Sequence, residues 1–140
     1  KLHPEAKLPT YSTAGAGAFD LYNNHHEPVT LMHGLPRVFG TGVAAQVPEG
    51  WALLILSRSG QGFNTDTRLA NCVGLIDSDY RGEIMVKLSR DHSRSELPIV
   101  APGKAIAQGL MVRADQWDLA FVDELDSTER GTNGFGSTDL

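Results

Sequence analysis

Cysteine is almost absent from this 140-residue chain, which has a single one at Cys72. One cysteine cannot form a disulfide within the chain, so the fold needs no oxidising compartment. We expect a chain that is indifferent to redox state or resides in a reducing compartment, namely the cytoplasm, or the nucleus or host cell for a eukaryotic or viral source. Apolar neighbours predict that Cys72 is a small core residue and not a reactive thiol.

Long apolar runs and basic clusters are missing too. No stretch approaches the roughly 20 apolar residues of a membrane span, and no charged-then-apolar leader resembles a signal peptide. The net charge is −5 without a lysine or arginine cluster, which argues against nucleic-acid binding through phosphate neutralisation. The five histidines show no zinc-ligand spacing. We expect no membrane or nucleic-acid partner, although a few well-placed cations could hold one small anion.

Helical periodicity is also lacking. No window of a dozen residues keeps a 3.6-residue period with caps at both ends, and short apolar runs instead alternate with turn-forming clusters. Glycine makes up 15 of 140 residues, well above the typical ~7%, as many tight turns would require. The sequence therefore predicts one all-β sandwich or barrel domain, with a short helix somewhere in residues 62–70.

The apolar runs that are present predict specific strands. The main ones are residues 37–47, 51–56, 84–89 and 117–125. Residues 51–56 are apolar without interruption, as in a strand buried on both faces. In the last segment Trp117, Leu119 and Phe121 alternate with polar residues, which is typical of a half-buried strand.

Residues 74–84, Gly-Leu-Ile-Asp-Ser-Asp-Tyr-Arg-Gly-Glu-Ile, carry the densest chemistry. An apolar lead-in, a polar turn and an alternating continuation predict a β-hairpin with Asp77, Asp79 and Tyr80 at its rim. Asp, Ser and Gly are also ordinary turn formers. Local chemistry alone therefore leaves a plain turn and a functional loop about equally open.

Four further segments accompany this one in a fixed order. They are residues 17–22 (Gly-Ala-Phe-Asp-Leu-Tyr), 57–60 (Ser-Arg-Ser-Gly), 103–108 (Gly-Lys-Ala-Ile-Ala-Gln) and 130–138 (Arg-Gly-Thr-Asn-Gly-Phe-Gly-Ser-Thr). With residues 74–84, preceded by Asn71, they resemble the five motifs of the trimeric deoxyuridine triphosphatases. A lone Ser-Arg-Ser-Gly would be weak, but the third and fifth motifs are specific and the set spans nearly the whole chain.

The resemblance implies a fold, an assembly and a reaction. The fold is an all-β, jelly-roll-like domain over residues 1–125, followed by a glycine-rich flexible arm, residues 126–140, that closes over the active site of another subunit. The assembly is a homotrimer with active sites between subunits. The reaction is Mg²⁺-dependent attack of water on the α-phosphate of dUTP, giving dUMP and pyrophosphate. Such an activity limits uracil in DNA and supplies dUMP for thymidylate synthesis.

Two aspartates stand out for the chemistry. An aspartate ionised near neutral pH can orient and deprotonate a water molecule, and the resemblance gives that catalytic role to Asp77. Asp79, two residues on, should face away if strand geometry persists, so we assign it a structural role. The resemblance makes Asp20 a ligand of Mg²⁺ through bound water, whereas read alone Asp20 is an ordinary solvent-facing strand residue.

The substrate-binding residues implied by the resemblance fall into three groups. Phosphate contacts are assigned to Arg58, Ser59, Gly60, Gln108 and Arg130. Uracil and deoxyribose contacts are assigned to Asn71, Gly74, Ile76, Met85 and Tyr80, with the Tyr80 ring leaving no room for a 2′-hydroxyl. In the arm, Phe135 covers the uracil, while Gly136, Ser137 and Thr138 offer amides and hydroxyls. Arg58 taken alone is more simply an arginine paired with a nearby acid at a strand end.

Some residues depart from the family pattern, and other functions stay open. Ala18 replaces a glycine, Lys104 and Ala105 replace an acid–arginine pair, and Asp139 replaces a glycine. The related dCTP deaminases share the fold and a similar Arg-Ser segment, but residues 76–82 match the triphosphatases better. A nucleotide-sensing protein with a ligand-ordered arm is the non-enzymatic alternative. A purely structural β-trimer leaves the arginine and aromatic residue of the arm unexplained.

Overall fold

The computed structural model describes residues 1–92 and 97–134, which form short β-strands and one helix. In chain order they are β1 (Thr10–Tyr11), β2 (Phe19–Tyr22), β3 (Val29–Thr30), β4 (Arg37–Gly40), β5 (Trp51–Leu56), α1 (Ser59–Thr65), β6 (Thr67–Leu69), β7 (Gly74–Ile76), β8 (Met85–Arg90), β9 (Ile99–Val100) and β10 (Ala105–Arg113). In the part of the chain that the structure describes, no helix has the length and apolar character needed to cross a membrane.

The longest strands form the middle of a five-stranded antiparallel sheet in the order β1-β2-β10-β5-β7. β10 pairs with β5 from Gln108↔Leu56 to Arg113↔Trp51. A three-stranded antiparallel sheet has the order β4-β8-β6, and β3 pairs with β9 in a two-stranded sheet. This all-β, jelly-roll-like arrangement confirms the predicted fold class.

One hydrophobic core joins the two larger sheets. Leu21, Leu53 and Ile106 come from the five-stranded sheet, and Phe39 and Leu88 come from the three-stranded sheet; each is at most 1% exposed. The strand predicted at residues 51–56 coincides with β5, whose side chains are all buried or half-buried. β8 alternates as predicted, with Val86 and Leu88 inward and Met85 and Lys87 outward.

The predicted hairpin at residues 74–84 is wrong. β7 pairs with β5 in the five-stranded sheet, whereas β8 lies between β4 and β6 in the other sheet. Residues 77–84 therefore cross from one sheet to the other. Local alternation cannot distinguish such a crossover from a hairpin, because the partner of each strand lies far away in the sequence.

Two other elements differ in their bounds. The strand predicted at residues 37–47 ends at Gly40, because Gly42 adopts a positive φ of 68° that turns the chain out of the sheet. The helix predicted within residues 62–70 begins earlier, at Ser59, and ends at Thr65. Asp66 stops it in a left-handed conformation with φ 51°, as C-terminal helix residues commonly do, and β6 follows.

Cys72 is exposed, so its predicted core position is wrong. It lies in the tight turn before β7 with φ 64°, and its N–H donates to the Leu69 carbonyl over 3.2 Å. The turn directs the thiol outward despite apolar neighbours in the sequence.

Residues 117–125 are all described by the structure and contain no strand. Trp117, Leu119 and Phe121 are 80%, 95% and 108% exposed. Among the described residues, Ala114 is the last along the chain whose backbone bonds back to the sheet region. Its N–H donates to the Gly50 carbonyl over 3.0 Å. Alternation predicted a strand here, but this chain provides no neighbour for it.

Candidate active site

Three polar residues meet where β2, β5 and β10 lie side by side. Gln108 of β10 is in register with Asp20 of β2 on one side and with Leu56 of β5 on the other. Arg58 follows β5 by two residues, and its Nε donates to Asp20 Oδ1 over 3.1 Å. Asp20 is 8% exposed, so it is not the solvent-facing residue that its position alone suggests. Ion pairing to Arg58 compensates this buried carboxylate.

The segment after Arg58 forms an exposed corner beside this pair. Arg58 is extended and occupies the N-cap position of α1 without a side-chain capping bond, and the first helical residues Ser59 and Gly60 are exposed. The Arg58 Nη1 and the Gln61 Nε2 each donate to the Ala105 carbonyl over 3.5 Å. Hydroxyl, backbone amide and guanidinium donors are thus concentrated in one place, as phosphate binding requires.

A cavity of about 270 Å³ next to this corner contains a second cation. Arg58, Gly60, Gln61 and Lys104 all line it. Sequence reasoning treated Lys104 only as a departure from the family pattern. Lys104 lies in the turn before β10, the strand that carries Gln108, and this position could have indicated that it is near the phosphate site. The structure adds Lys104 to the candidate phosphate-binding residues.

Asp77 lies at another corner of the molecule. It follows β7, is exposed, and lines a cavity of about 780 Å³ with Trp51, Asp79 and Asp115. Asp79 therefore faces the same cavity as Asp77, against expectation. Strand alternation ends at Ile76, where a turn begins. The Tyr80 N–H closes this turn by donating to the Asp77 carbonyl over 3.2 Å.

The loop after Asp77 is held by its own side chains. The Tyr80 hydroxyl donates to the Glu83 carbonyl over 3.0 Å, and Arg81 Nη1 donates to the carbonyls of Ser78 and Tyr80 over 2.7 and 2.9 Å. Tyr80 is 42% exposed, so it is not a core residue. Its ring is available at the surface beside the candidate base.

The residues assigned to uracil lie along one sheet edge. β7 is the last strand of its sheet and carries Gly74 and Ile76. Asn71 lies in the preceding turn, where its Nδ2 donates to the Val73 carbonyl over 3.2 Å. A Cβ on Gly74 would lie 3.1 Å from the Ile55 Cβ, so this position favours glycine. Met85 instead begins β8 in the other sheet and is half exposed.

The two corners are far apart within one chain. Leu53 is in register with Ile76, so Asp77 lies near the Ala52 end of β5. Arg58 lies past the opposite end, six residues further along the chain than Ala52, and at ~3.3 Å per residue this separates the corners by about 20 Å. A single chain therefore does not bring Asp77 together with Asp20, Arg58 and Gln108.

The arm is described as far as residue 134. Arg130 is exposed, and its Nε donates to the Asn133 carbonyl over 3.0 Å in a local turn that includes Gly131 at φ 54°. The other assigned arm residues lie outside the described part of the chain; they are Phe135, Gly136, Ser137 and Thr138.

The described residues contain no cluster of side chains that could ligate a metal ion directly. Within residues 1–92 and 97–134, no three histidine, cysteine, aspartate or glutamate side chains are placed to hold a metal ion together. Asp20 offers one carboxylate at the corner formed by Arg58, Ser59 and Gly60, called the phosphate corner below. Because Mg²⁺ commonly binds through one or two carboxylates, water and substrate phosphates, Asp20 fits a water-mediated role in which the nucleotide supplies the inner ligands.

Comparisons with known proteins agree with the fold and motifs. The dUTPase family model matches residues 4–139. A deoxyuridine 5′-triphosphate nucleotidohydrolase from Hahella chejuensis is 41% identical over 139 residues, covering 99% of this chain and 90% of that protein. The dUTPase of Staphylococcus bacteriophage 80alpha with dUPNHPP is similar at a TM-score of 0.84 and 27% identity, with 99% and 95% coverage. A mutant dUTPase of S. aureus phage phi11, described with a structural Mg(II) ion, has a TM-score of 0.78 at 23% identity, with 90% and 95% coverage.

Proposed function

This chain belongs to the dUTPase family and is a dUTP diphosphatase, and from that premise we propose that its active site combines residues of different copies in a homotrimer. The observation that carries the proposal is the register of β7 on β5, which puts Asp77 near the Ala52 end of β5 while Arg58 lies past the other end. At ~3.3 Å per residue this corresponds to a separation of about 20 Å. A general base must come within about 3 Å of the water it activates. Only a second copy can bring an Asp77 to the Asp20–Arg58–Gln108 corner.

The phosphate corner binds the triphosphate. Arg58 offers a planar guanidinium that can contact phosphate oxygens with two donors, and Ser59 and Gly60 add a hydroxyl and backbone amides. Lys104 contributes charge from the same cavity, which helps a protein of net charge −5 hold a polyanion. Gln108, next to Asp20 in the sheet, contacts the phosphate at the reacting phosphorus.

The β7 corner binds uracil and deoxyribose. An edge strand presents unpaired backbone donors and acceptors, and those around Gly74 and Ile76 pair with uracil, assisted by Asn71 and Met85. Cytosine replaces an acceptor with a donor at that edge, which leaves buried polar groups unpaired and is rejected strongly. The Tyr80 ring lies against the sugar and excludes a 2′-hydroxyl.

Asp77 activates the attacking water. The carboxylate accepts a proton from the water molecule while the water oxygen attacks the α-phosphorus, and pyrophosphate leaves. Asp20, acting through water, and the substrate phosphates would hold Mg²⁺. When bound, this ion offsets the charge on the leaving pyrophosphate. Residues 130–138 of another copy close over the nucleotide, with Arg130 on the γ-phosphate, Phe135 over the uracil, and Gly136, Ser137 and Thr138 at the remaining oxygens.

A substrate panel tests the activity. Pyrophosphate release from dUTP, dCTP, dTTP and UTP is measured with and without Mg²⁺, and ammonia release from dCTP is followed in parallel. We expect release from dUTP alone, dependent on Mg²⁺. Ammonia from dCTP would indicate a deaminase, and dUTP binding without turnover would indicate a nucleotide sensor.

Mixed trimers test the shared site. Asp77→Asn and Arg58→Ala are each purified as inactive proteins, then dissociated together and reassembled in equal amounts. If each site takes Arg58 from one copy and Asp77 from another, random assembly of the two variants rebuilds about one quarter of the sites. Reassembly of either variant alone is the control and stays inactive. A mixture as inactive as its components would place both residues in one chain's site and overturn the proposal.

A further inference from the structure

Glu83 connects the crossover loop to the end of β4. The Gly42 N–H donates to Glu83 Oε1 over 2.7 Å. Next to it, the Thr41 hydroxyl donates to the Ile84 carbonyl over 2.8 Å, and the Ile84 N–H donates to the Val43 carbonyl over 2.9 Å. Residues 41–43 thus fix residues 83 and 84 through three bonds, two that use their backbone and one from the Thr41 hydroxyl, and the Glu83 carboxylate supplies one acceptor.

Gly40 provides the space for this carboxylate. A Cβ built on Gly40 would lie 2.6 Å from Glu83 Oε1, closer than real contacts allow. Any larger residue at position 40 would push the carboxylate off the Gly42 amide. Gly40 does not have a positive φ, so its backbone conformation does not require glycine. The position favours glycine because the Glu83 carboxylate lies against it.

The same residue orients the Tyr80 ring. The Tyr80 hydroxyl donates to the Glu83 carbonyl over 3.0 Å, and the ring folds over Gly82, where a Cβ would lie 2.6 Å from Tyr80 Cζ. With 42% of Tyr80 exposed, core packing does not fix this ring. Its hydroxyl instead bonds to the backbone carbonyl of Glu83, the residue whose side chain is attached to Gly42.

We propose that Glu83 is a positioning residue that sets the preference of this enzyme for deoxyribose over ribose. Glu83 acts through Tyr80 and does not contact the substrate. The inference rests on the proposed role of Tyr80 against the sugar. Loss of the Glu83–Gly42 bond frees the ring to move aside, and the space opened beside the sugar admits a 2′-hydroxyl.

The acceptor oxygen, and not the charge, is the required feature. Glu83→Gln keeps an oxygen for the Gly42 N–H, whereas Glu83→Ala removes it. A residue needed only for folding would change thermal stability and leave the ratio of kcat/KM for dUTP to kcat/KM for UTP unchanged. That ratio therefore separates positioning from general stabilisation.

The experiment measures kcat/KM for both nucleotides in the full chain and in five variants. We expect Glu83→Ala and Gly40→Ala to lower the dUTP:UTP ratio by about tenfold or more, the effect of losing a hydrogen bond to a charged group. Glu83→Gln should stay within about threefold of the wild type. Glu27→Ala is the matched control, since Glu27 is an exposed carboxylate that lines the same cavity as Glu83, and its ratio should not change.

Several results would overturn the inference. An unchanged ratio in Glu83→Ala would do so, as would an equal loss in Glu83→Gln and Glu83→Ala. If Glu83→Ala fails to fold, an unchanged ratio in Gly40→Ala decides against it. Tyr80→Ala shows which part of the argument fails. If the dUTP:UTP ratio is unchanged in Tyr80→Ala, the proposed contact between Tyr80 and the sugar is wrong. If the ratio falls in Tyr80→Ala but stays at the wild-type value in the Glu83 variants, only the role of Glu83 is wrong.

Discussion

Asp20 and Arg58 form an ion pair across two strands, with the Arg58 Nε 3.1 Å from Asp20 Oδ1. The two side chains differ in solvent access, at 10% for Asp20 and 31% for Arg58. The pair brings the first and second motifs together and orients the guanidinium of Arg58. In the proposed site, a phosphate that approaches Arg58 would therefore compete with Asp20 for the guanidinium.

This asymmetry predicts unequal costs of breaking the pair. Arg58→Ala leaves a buried carboxylate without its cation, whereas Asp20→Asn leaves a guanidinium that can still reach water. We expect a loss of unfolding free energy of about 2–3 kcal/mol for Arg58→Ala and about 1 kcal/mol for Asp20→Asn at neutral pH. Urea unfolding of both variants measures this. Equal losses, or a larger loss for Asp20→Asn, would contradict the predicted order.

Asp77→Asn should separate turnover from binding. The amide keeps the size of the side chain but cannot take a proton, so kcat should fall by at least about a hundredfold. The dissociation constant for dUPNHPP should change by no more than a few-fold, because the phosphate and uracil contacts remain. Asp115→Asn is the control, since Asp115 is an exposed carboxylate in the same cavity. Undiminished turnover in Asp77→Asn would remove Asp77 from the mechanism.

Cys72→Gly should leave stability unchanged or raise it. Cys72 has φ 64° and an exposed side chain, so glycine relieves a left-handed conformation that costs roughly 1 kcal/mol in other residues. The greater freedom of glycine in the unfolded chain offsets part of this gain. Cys72→Val is the contrasting variant and should lower the thermal midpoint, because β-branched residues tolerate positive φ poorly. A lower midpoint for Cys72→Gly would favour a packing role.

Local patterns in the sequence predicted the features that depend on a few consecutive residues. The uninterrupted apolar run gave β5, and the alternation of Val86 and Leu88 gave β8. The motif residues Asp77 and Ser59 lie exposed at the end of β7 and the start of α1, and their assigned roles stay predictions. Each of these features is decided within one segment.

Features that depend on distant partners could not be predicted in this way. The hairpin failed because β7 and β8 join different sheets, and no local signal specifies that crossover. The Asp20–Arg58 pair joins residues 38 positions apart, and Glu83 bonds to Gly42 from 41 positions away. Alternation around Phe121 predicted a strand, but pairing also requires a neighbour, which one chain does not supply.

Deleting residues 130–140 should abolish turnover with little effect on stability. The described part of the deleted segment, residues 130–134, is exposed, so its loss removes little packing from the core. Turnover should fall because the proposed contact of Arg130 with the γ-phosphate is lost and water is no longer excluded from the site. Calorimetry and pyrophosphate release measure the two effects. A thermal midpoint that falls by more than a few degrees would make the segment structural instead.

Phe121→Asp should weaken the assembly of copies. Trp117, Leu119 and Phe121 leave a large apolar surface uncovered in one chain, and surfaces of this kind commonly mark contacts with another chain. A charge at position 121 should raise the protein concentration needed for assembly by at least about tenfold, because a buried unpaired carboxylate is costly. Sedimentation over a dilution series measures the shift. Leu8→Asp is the control, since Leu8 is an exposed apolar residue outside this segment. If Phe121→Asp assembles like the wild type, residues 117–125 do not form the contact between copies, and the proposed trimer must be held by another face.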